Sequence, residues 1–401
     1  MGGHEMASGE GVRVSVSRLA RLLGFLQQDA GNAALRKDVI REACNAGQWE
    51  QAHELIEAGL RANPADPDLL VLAGLVHLQA RRYEEAEVAL SAALAHGVEG
   101  AGPRYSLAYA RFMQRHFEDA LEVLGANEPA LQLSAAQTLR ARCLHHLGRA
   151  AEAIATCTAH LADVPADDET RGVLALLLHD DGKHAEAMDQ ARRALFGSPQ
   201  QLEAMLALAS AQSATRDFDA AWRSFDALLR VHPDCGRARL GRGSIHLAYM
   251  RLESARYDLE RAAQLTPDHI GTWHVLAWIH IMARDVAEAH LAFERALAID
   301  RTFAESHGGL AIVAALRGQE SDAEAGIKRA LRLDSQCLSA RYAEMLLFQR
   351  RGESKRATAV FADVLARPVE DSGIAYRELL ELHVRSLRRG VDEGSAPAPL
   401  H

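Results

Sequence analysis

The stretch PDLLVLAGLVHLQARRYEEAEVAL, residues 67–90, decides the fold. Counted from Pro67 as position 1, it sets a glycine at position 8 (Gly74), an alanine at position 20 (Ala86) and a large apolar residue at position 24 (Leu90). Its first half is apolar at helical spacing, and Tyr83 opens a second helical run after a turn near position 15. Stepping outward by 34 residues reproduces the pattern in both directions. Units begin at Ala33, Pro67, Ala101, Ser134, Asp168, Leu202, Gly236, Ile270, Ala304 and Leu338, and the third is one residue short.

Each recurrent position has a mechanical reason. Position 20 is alanine every time: Ala52, Ala86, Ala120, Ala153, Ala187, Ala221, Ala255, Ala289, Ala323 and Ala357. Position 8 is small in most units, so two antiparallel helices can approach closely where a longer side chain would hold their axes apart. Position 24, with Ile56, Leu90, Leu124, Phe225, Leu259, Phe293, Ile327 and Phe361, fills the space beside them. Proline at position 32 (Pro64, Pro165, Pro199, Pro233, Pro267) stops the second helix, because it lacks the donor a helix interior needs. Gly47, Gly148, Gly182, Gly318 and Gly352 at position 15 mark the turn within the hairpin.

These positions resemble the tetratricopeptide repeat family, whose 34-residue helix-turn-helix signature they match over about residues 33–371. The resemblance implies an all-α, right-handed superhelical solenoid of antiparallel hairpins. Departures are a tryptophan at position 4 only at Trp273, bulky His160 and Leu228 at position 27, and Glu128-Pro129 after the short third unit, where an irregular stacking angle is expected. Single hairpins leave an apolar face that only neighbours cover, so the array needs caps. An N-terminal capping helix is expected within 12–32, using Leu19, Leu22, Leu23 and Leu26, and a C-terminal one within 372–390, using Leu379, Leu380, Val384 and Leu387. Residues 1–11 and 391–401 read as disordered tails.

Composition narrows the function. Aromatics are 5% of the 401 residues and alanine roughly one position in five, which disfavours a sandwich or barrel and suits close-packed helices. A net charge of -9 argues against a polyanion as main partner, so nucleic acid is not expected. Only Lys37, Lys183, Lys328 and Lys355 are lysines; the arginine and alanine usage suggests a GC-rich bacterial coding sequence. Cys44, Cys143, Cys157, Cys235 and Cys337 form no CxxC pair and read as free thiols in a reducing compartment. With no apolar run of membrane-spanning or signal-peptide length, a cytoplasmic protein that does not insert into membranes is the expectation.

In the family, positions 2, 5, 9, 12 and 13 of each first helix line the concave side, a stripe offset from the core stripe at 4, 7, 8 and 11. Here it is apolar in units two and three, with Val71, Leu75, Leu78, Tyr105, Tyr109, Phe112 and Met113. It turns polar or small in units four to six, through Thr138, Arg142, His145, His146, Glu169, His179, Asp180, Glu203, Ser210 and Ser213. It is apolar again at Leu240, Leu247, His274, Trp278, Ile281, Met282, Ile312, Leu316, Tyr342 and Leu346. Either curvature, a cap or a homo-oligomer covers these side chains, or they form a groove for an apolar or amphipathic polypeptide.

Two groove chemistries of the family are missing. A clamp for a C-terminal carboxylate would need basic residues and asparagines, but Lys37 and Arg41 are followed by Leu72, Gly102 and Ser106. An asparagine ladder at position 6 would bind extended backbone, but the positions hold Asp38, Leu72, Ser106, Leu139, Val173 and Ala207. No HExxH, nucleophile elbow or phosphate-cradling loop occurs, and His145 and His179 fall on neighbouring helices too far apart to share a zinc unaided. No catalytic residue, cofactor or metal is therefore expected. The resulting reading is a noncatalytic scaffold or chaperone-like protein, in the manner of a bacterial assembly or secretion accessory factor. The alternatives are a peptide-responsive regulator whose superhelix changes shape, and an enzyme using the histidine-rich middle units.

Overall fold

Alanine at position 20 is the point where each hairpin closes. Nine of the ten are fully buried and the tenth, Ala357, is 3% exposed. The structure, a computed structural model, describes residues 18–125 and 133–366. Among these, α1 (18–28) precedes ten antiparallel helix pairs. They are α2 (Ala33–Asn45) with α3 (Trp49–Ala62), α4 (Pro67–Gln79) with α5 (Tyr83–Ala95), α6 (Ala101–Met113) with α7 (Phe117–Leu124), and α8 (Ser134–His146) with α9 (Ala150–Asp163). Next come α10 (Asp168–Asp180) with α11 (His184–Gly197), α12 (Leu202–Ala214) with α13 (Phe218–Val231), and α14 (Gly236–Ala248) with α15 (Leu252–Leu265). The last are α16 (Ile270–Met282) with α17 (Val286–Ile299), α18 (Ala304–Arg317) with α19 (Glu320–Leu333), and α20 (Leu338–Arg350) with α21 (Ser354–Ala366). No helix among the described residues is long and apolar enough to cross a membrane.

The chain divides into two compact units, Met1–Ala207 and Leu208–His401. In the first, α2 packs on α4, α4 on α6, α6 on α8 and α8 on α10; in the second, α14 packs on α16 and α18 on α20. Within each unit these first helices stack in file, and α3, α5, α7, α9, α11, α15, α17, α19 and α21 each lean on their own first helix. At the start of the first unit, Leu19 and Leu26 of α1 are buried, and Leu22 and Leu23 pack on the same cluster as Val39, Ile40 and Ile56. The helix expected within 372–390 and the tails 1–11 and 391–401 lie outside the described residues. In the short third unit, α7 has 8 residues where the other second helices have 13 or 14, and residues 126–132 are not among those described.

Positions 8 and 24 meet face to face. A Cβ on Gly74 would lie 2.4 Å from Leu90 Cγ, and one on Gly243 2.9 Å from Leu259 Cγ. Where position 24 is phenylalanine and closely packed, the next unit yields space at position 6. A Cβ on Gly241 would stand 2.3 Å from the Phe225 ring, and one on Gly309 2.3 Å from the Phe293 ring. Both rings are buried, whereas Phe361 at the same position of the last hairpin is 48% exposed.

Turns are held in two ways. Every position 15 has positive φ: the five glycines, and also Arg81, Arg115, Arg216, Met250 and Arg284 at φ between 56 and 65°. At position 4 a side-chain donor reaches back six residues to the carbonyl in the turn before its helix. Trp273 Nε1 donates to Pro267 O at 2.8 Å, Arg36 to Ala30 O at 2.6 Å, Arg239 to Pro233 O at 3.2 Å, and His307 Nε2 to Arg301 O at 2.9 Å. Arg171 does the same to Pro165 O. The tryptophan of one unit is therefore replaced by arginine or histidine in others without losing the bond. Helix starts are capped by Asn32, Asp66, Asp167, Asp217 and Asp285. Burial works against the Asp66 charge, but Lys37 at 2.8 Å and the amides of Asp68 and Leu69 hold its carboxyl below the usual range.

Gly309→Ala should lower stability by about 1–3 kcal/mol through overpacking on Phe293. Combining it with Phe293→Leu should give less than the sum of the single losses, read as urea midpoints in a double-mutant cycle. Gly182 has open space where a Cβ would go, so Gly182→Ala isolates the backbone term and should cost about 1 kcal/mol.

Candidate functional site

Each second helix covers the core stripe of its first helix, leaving the offset stripe to face elsewhere. In the first unit, Leu75 (42%) and Met113 (38%) on that stripe are exposed, while Val71 and Leu78 are half-buried. Tyr105 and Tyr109 stack at 6.3 Å and pack on the cluster of Ala108, Leu139 and Cys143. Phe112 turns toward its own hairpin, 5.5 Å from Phe117, whose ring lies parallel to His146 at 4.5 Å.

The stripe then becomes polar and internally satisfied. Arg142 donates from Nε (2.8 Å) and Nη2 (2.6 Å) to Glu203 Oε1 and from Nη1 to Glu169 Oε1 (3.1 Å). Burial opposes the Arg142 charge, and the two carboxylates raise its pKa nonetheless. Gln201 holds the other Glu203 oxygen at 2.7 Å, beside a cavity of about 540 Å³ lined also by Ser198 and Pro199. Thr138 and Thr170 share a hydrogen bond of 2.7 Å, and His145 Nε2 sits 2.8 Å from Asp180 Oδ2. His179 packs its ring against His184 at 5.1 Å. No group of three His, Cys, Asp or Glu side chains among the described residues could hold a metal ion. Burial pushes the thiols of Cys143, Cys157 and Cys337 up to about 12, so all three are protonated core fillers at neutral pH.

In the second unit, Trp278 and Tyr342 meet at 5.5 Å, both half-buried. Together with Ile281 and Leu346 they pack on a cluster centred on Ile312. Met282 (39%) and Leu316 (40%) stand exposed at position 13 of α16 and α18. Leu240 and Leu247 rest on Leu259, Leu276 and Ile279.

Two residues expected on the open stripe do not serve there. Ile312 is fully buried, because Ala343 and Leu347 of α20 close over it. His274 is engaged: Nε2 lies 2.9 Å from Ser306 Oγ, and its ring stands edge-on to Phe293 (5.4 Å) and Phe303 (5.2 Å). The half-buried imidazole thus bridges its own unit and the next.

A charged cluster escaped sequence reading altogether. Asp258, 1% exposed, accepts from Arg242 at 2.7 and 2.8 Å and from Arg239 at 3.1 Å, while Arg242 also reaches Asp226 at 2.9 Å. The signal was present: Arg239 and Arg242 occupy core-stripe positions 4 and 7, where a cation needs a nearby anion or carbonyl to offset lost hydration.

Comparison with known proteins follows the same lines. The tetratricopeptide repeat family profile matches residues 40–103, 105–168 and 206–270. The chain is similar in structure to the APC/C hetero-tetramer Cut9–Hcn1, with 14% identity, TM-score 0.55, and 89% of this chain and 77% of that chain covered. It is also similar to a human IFIT1 dimer with PPP-AAAA, with 15% identity, TM-score 0.52, and coverage of 83% and 90%. At these identities the likeness is one of fold. No curated protein matches the sequence.

Burial pushes His77, His246, His269 and His274 below the usual histidine range, only partly countered at His274 by Glu305. The unfolded chain then binds protons near pH 6.5 that the native state refuses, so their contribution is full above about pH 6.5 and fades as pH falls through the depressed native values. The thermal midpoint should drop between about pH 7.5 and 5.5, and His274→Gln should shallow that drop.

Proposed function

Because the chain belongs to the tetratricopeptide repeat family, we propose that it is a noncatalytic protein-interaction scaffold that holds an apolar or amphipathic polypeptide segment against its first helices. The observation that carries this reading is the exposure of large apolar side chains on the inner stripe of each compact unit: Leu75 and Met113 in the first, Met282 and Leu316 in the second, each 38–42% exposed. They stand beside the half-buried ring pairs Tyr105–Tyr109 and Trp278–Tyr342. Methionine adapts to irregular apolar partners, and aromatic anchors concentrate binding energy at interfaces.

Polarity along the stripe argues for a polypeptide over a small apolar ligand. Arg142 is paired with both Glu169 and Glu203, so the middle of the first unit offers hydrogen-bonding edges with a slight excess of negative charge. Within that unit, a segment with apolar anchors at one end and polar groups at the other fits the order, as an amphipathic helix or an extended strand does. A chaperone-like role, holding a client during assembly or secretion, is the finer form of this reading, and the exposed apolar side chains support it.

Removing the anchors tests this. Tyr109→Ala with Trp278→Ala should reduce the native protein that copurifies with the full chain by roughly tenfold or more, at about 1–2 kcal/mol per anchor. Far-UV circular dichroism should be unchanged, since neither ring is buried in the position 8–20–24 core. Undiminished copurification with the double variant would refute the reading.

A further inference from the structure

The opposite side of the second unit carries a separate groove. The second helices α17 and α19 flank α18, and the space between them holds two adjoining cavities of about 550 and 450 Å³. The cavities share Leu297, Leu310, His307 and Arg329, so they form one trough along α18. Lining residues run from Arg301, before the start of α18, to Arg317 at its end. Fourteen helical residues span about 20 Å, room for roughly four turns of a docked helix. The α18 residues on the floor, Leu310, Val313 and Ala314, face away from Leu316, which lies on the inner stripe.

Its charge is the unusual feature. Arg301, Arg329 and Arg332 line the trough, and none has an ion-pair partner among the described residues. Arginines on the first helices or in a hairpin turn are paired instead: Arg142 by two glutamates, Arg242 by two aspartates, Arg351 by Glu320 and Glu324. The carboxylates lining the trough are Glu294, which lies 3.4 Å from His290, and Asp322 at the far end. Four arginines against two carboxylates leave an excess of two positive charges on a chain whose net charge is -9. The floor is apolar, with Leu297 and Leu310 half-buried and Leu333 45% exposed at the rim. His307 is committed to the Arg301 carbonyl and offers no free donor.

We propose that the trough between α17 and α19 docks an acidic amphipathic helix of a partner protein. Its apolar ridge would lie on Leu297 and Leu310, and its flanking carboxylates would pair with Arg301, Arg329 and Arg332. Unpaired guanidiniums beside an apolar floor select a segment that supplies both features, and a trough between two helices matches the helix-in-groove mode. This goes beyond the reading of the inner stripe and does not rest on it.

The test uses the full chain and a fluorescein-labelled helical peptide of about four turns, with leucines at i, i+3, i+4 and i+7 and glutamates on both flanks. Anisotropy should report binding that weakens with added salt. Arg329→Glu with Arg332→Glu should weaken it by about tenfold or more, and the reversed protein should prefer a lysine-flanked version of the peptide. Arg329→Lys with Arg332→Lys keeps the charge and should retain most of the affinity, which separates charge pairing from misfolding. Tyr109→Ala with Trp278→Ala should leave binding intact. Absence of binding, equal affinity for glutamate- and lysine-flanked peptides, or indifference to charge reversal would overturn the proposal. So would loss of binding in the aromatic variant alone, which would put the peptide on the inner stripe.

Discussion

The architecture depends on how closely two helices can approach within a hairpin. Alanine at position 20 and a small residue at position 8 remove the atoms that would hold the axes apart, and position 24 fills what remains. Once the hairpin closes to that distance, each first helix has one stripe inside and one stripe over. The surplus stripe is left available for contacts outside the hairpin. Packing and surface are therefore coupled through a geometric remainder.

Much of this was legible because the period makes each position its own control. Ten alanines at one register cannot be chance, and the apolar spacing around them dictates paired helices. Phe225 and Phe293 could also have been paired with Gly241 and Gly309 by eye, since bulk in one unit is matched by absence in the next. What stayed hidden depends on neighbours in space. Ile312 reads as an open-stripe residue, yet α20 closes over it, and helix phase within one unit does not reveal what the following unit covers. His274 misleads for the same reason, being enclosed by Ser306 and two phenylalanines from other helices. The trough beside α18 has no linear pattern: its arginines come from a turn, a first helix and a second helix, and only the fold brings them beside one apolar floor.

Charge follows one rule with informative exceptions. Where an arginine enters the packed layer it is met by carboxylates, most completely at Asp258, because a lone ion there would forfeit hydration without compensation. The position 4 arginines meet the same demand with a backbone carbonyl, and the bond is indifferent to whether guanidinium, indole or imidazole makes it. That tolerance explains how a unit loses its tryptophan yet keeps its turn. Side chains with neither solution lie at the surface, and there they become candidates for recognition.

The left-handed turn residues carry a kinetic corollary. Five hairpins pivot on glycine, but those centred on Arg81, Arg115, Arg216, Met250 and Arg284 hold a side chain in a backbone region that disfavours it by about 1 kcal/mol or more. In a file of units coupled mainly to nearest neighbours, such penalties are not averaged over the molecule. The array is thus thermodynamically uneven, with weaker links at the second, third, sixth, seventh and eighth hairpins. Amide exchange by sub-global opening would start at those links, giving a linear protein built-in places to breathe while its glycine-pivoted segments stay closed.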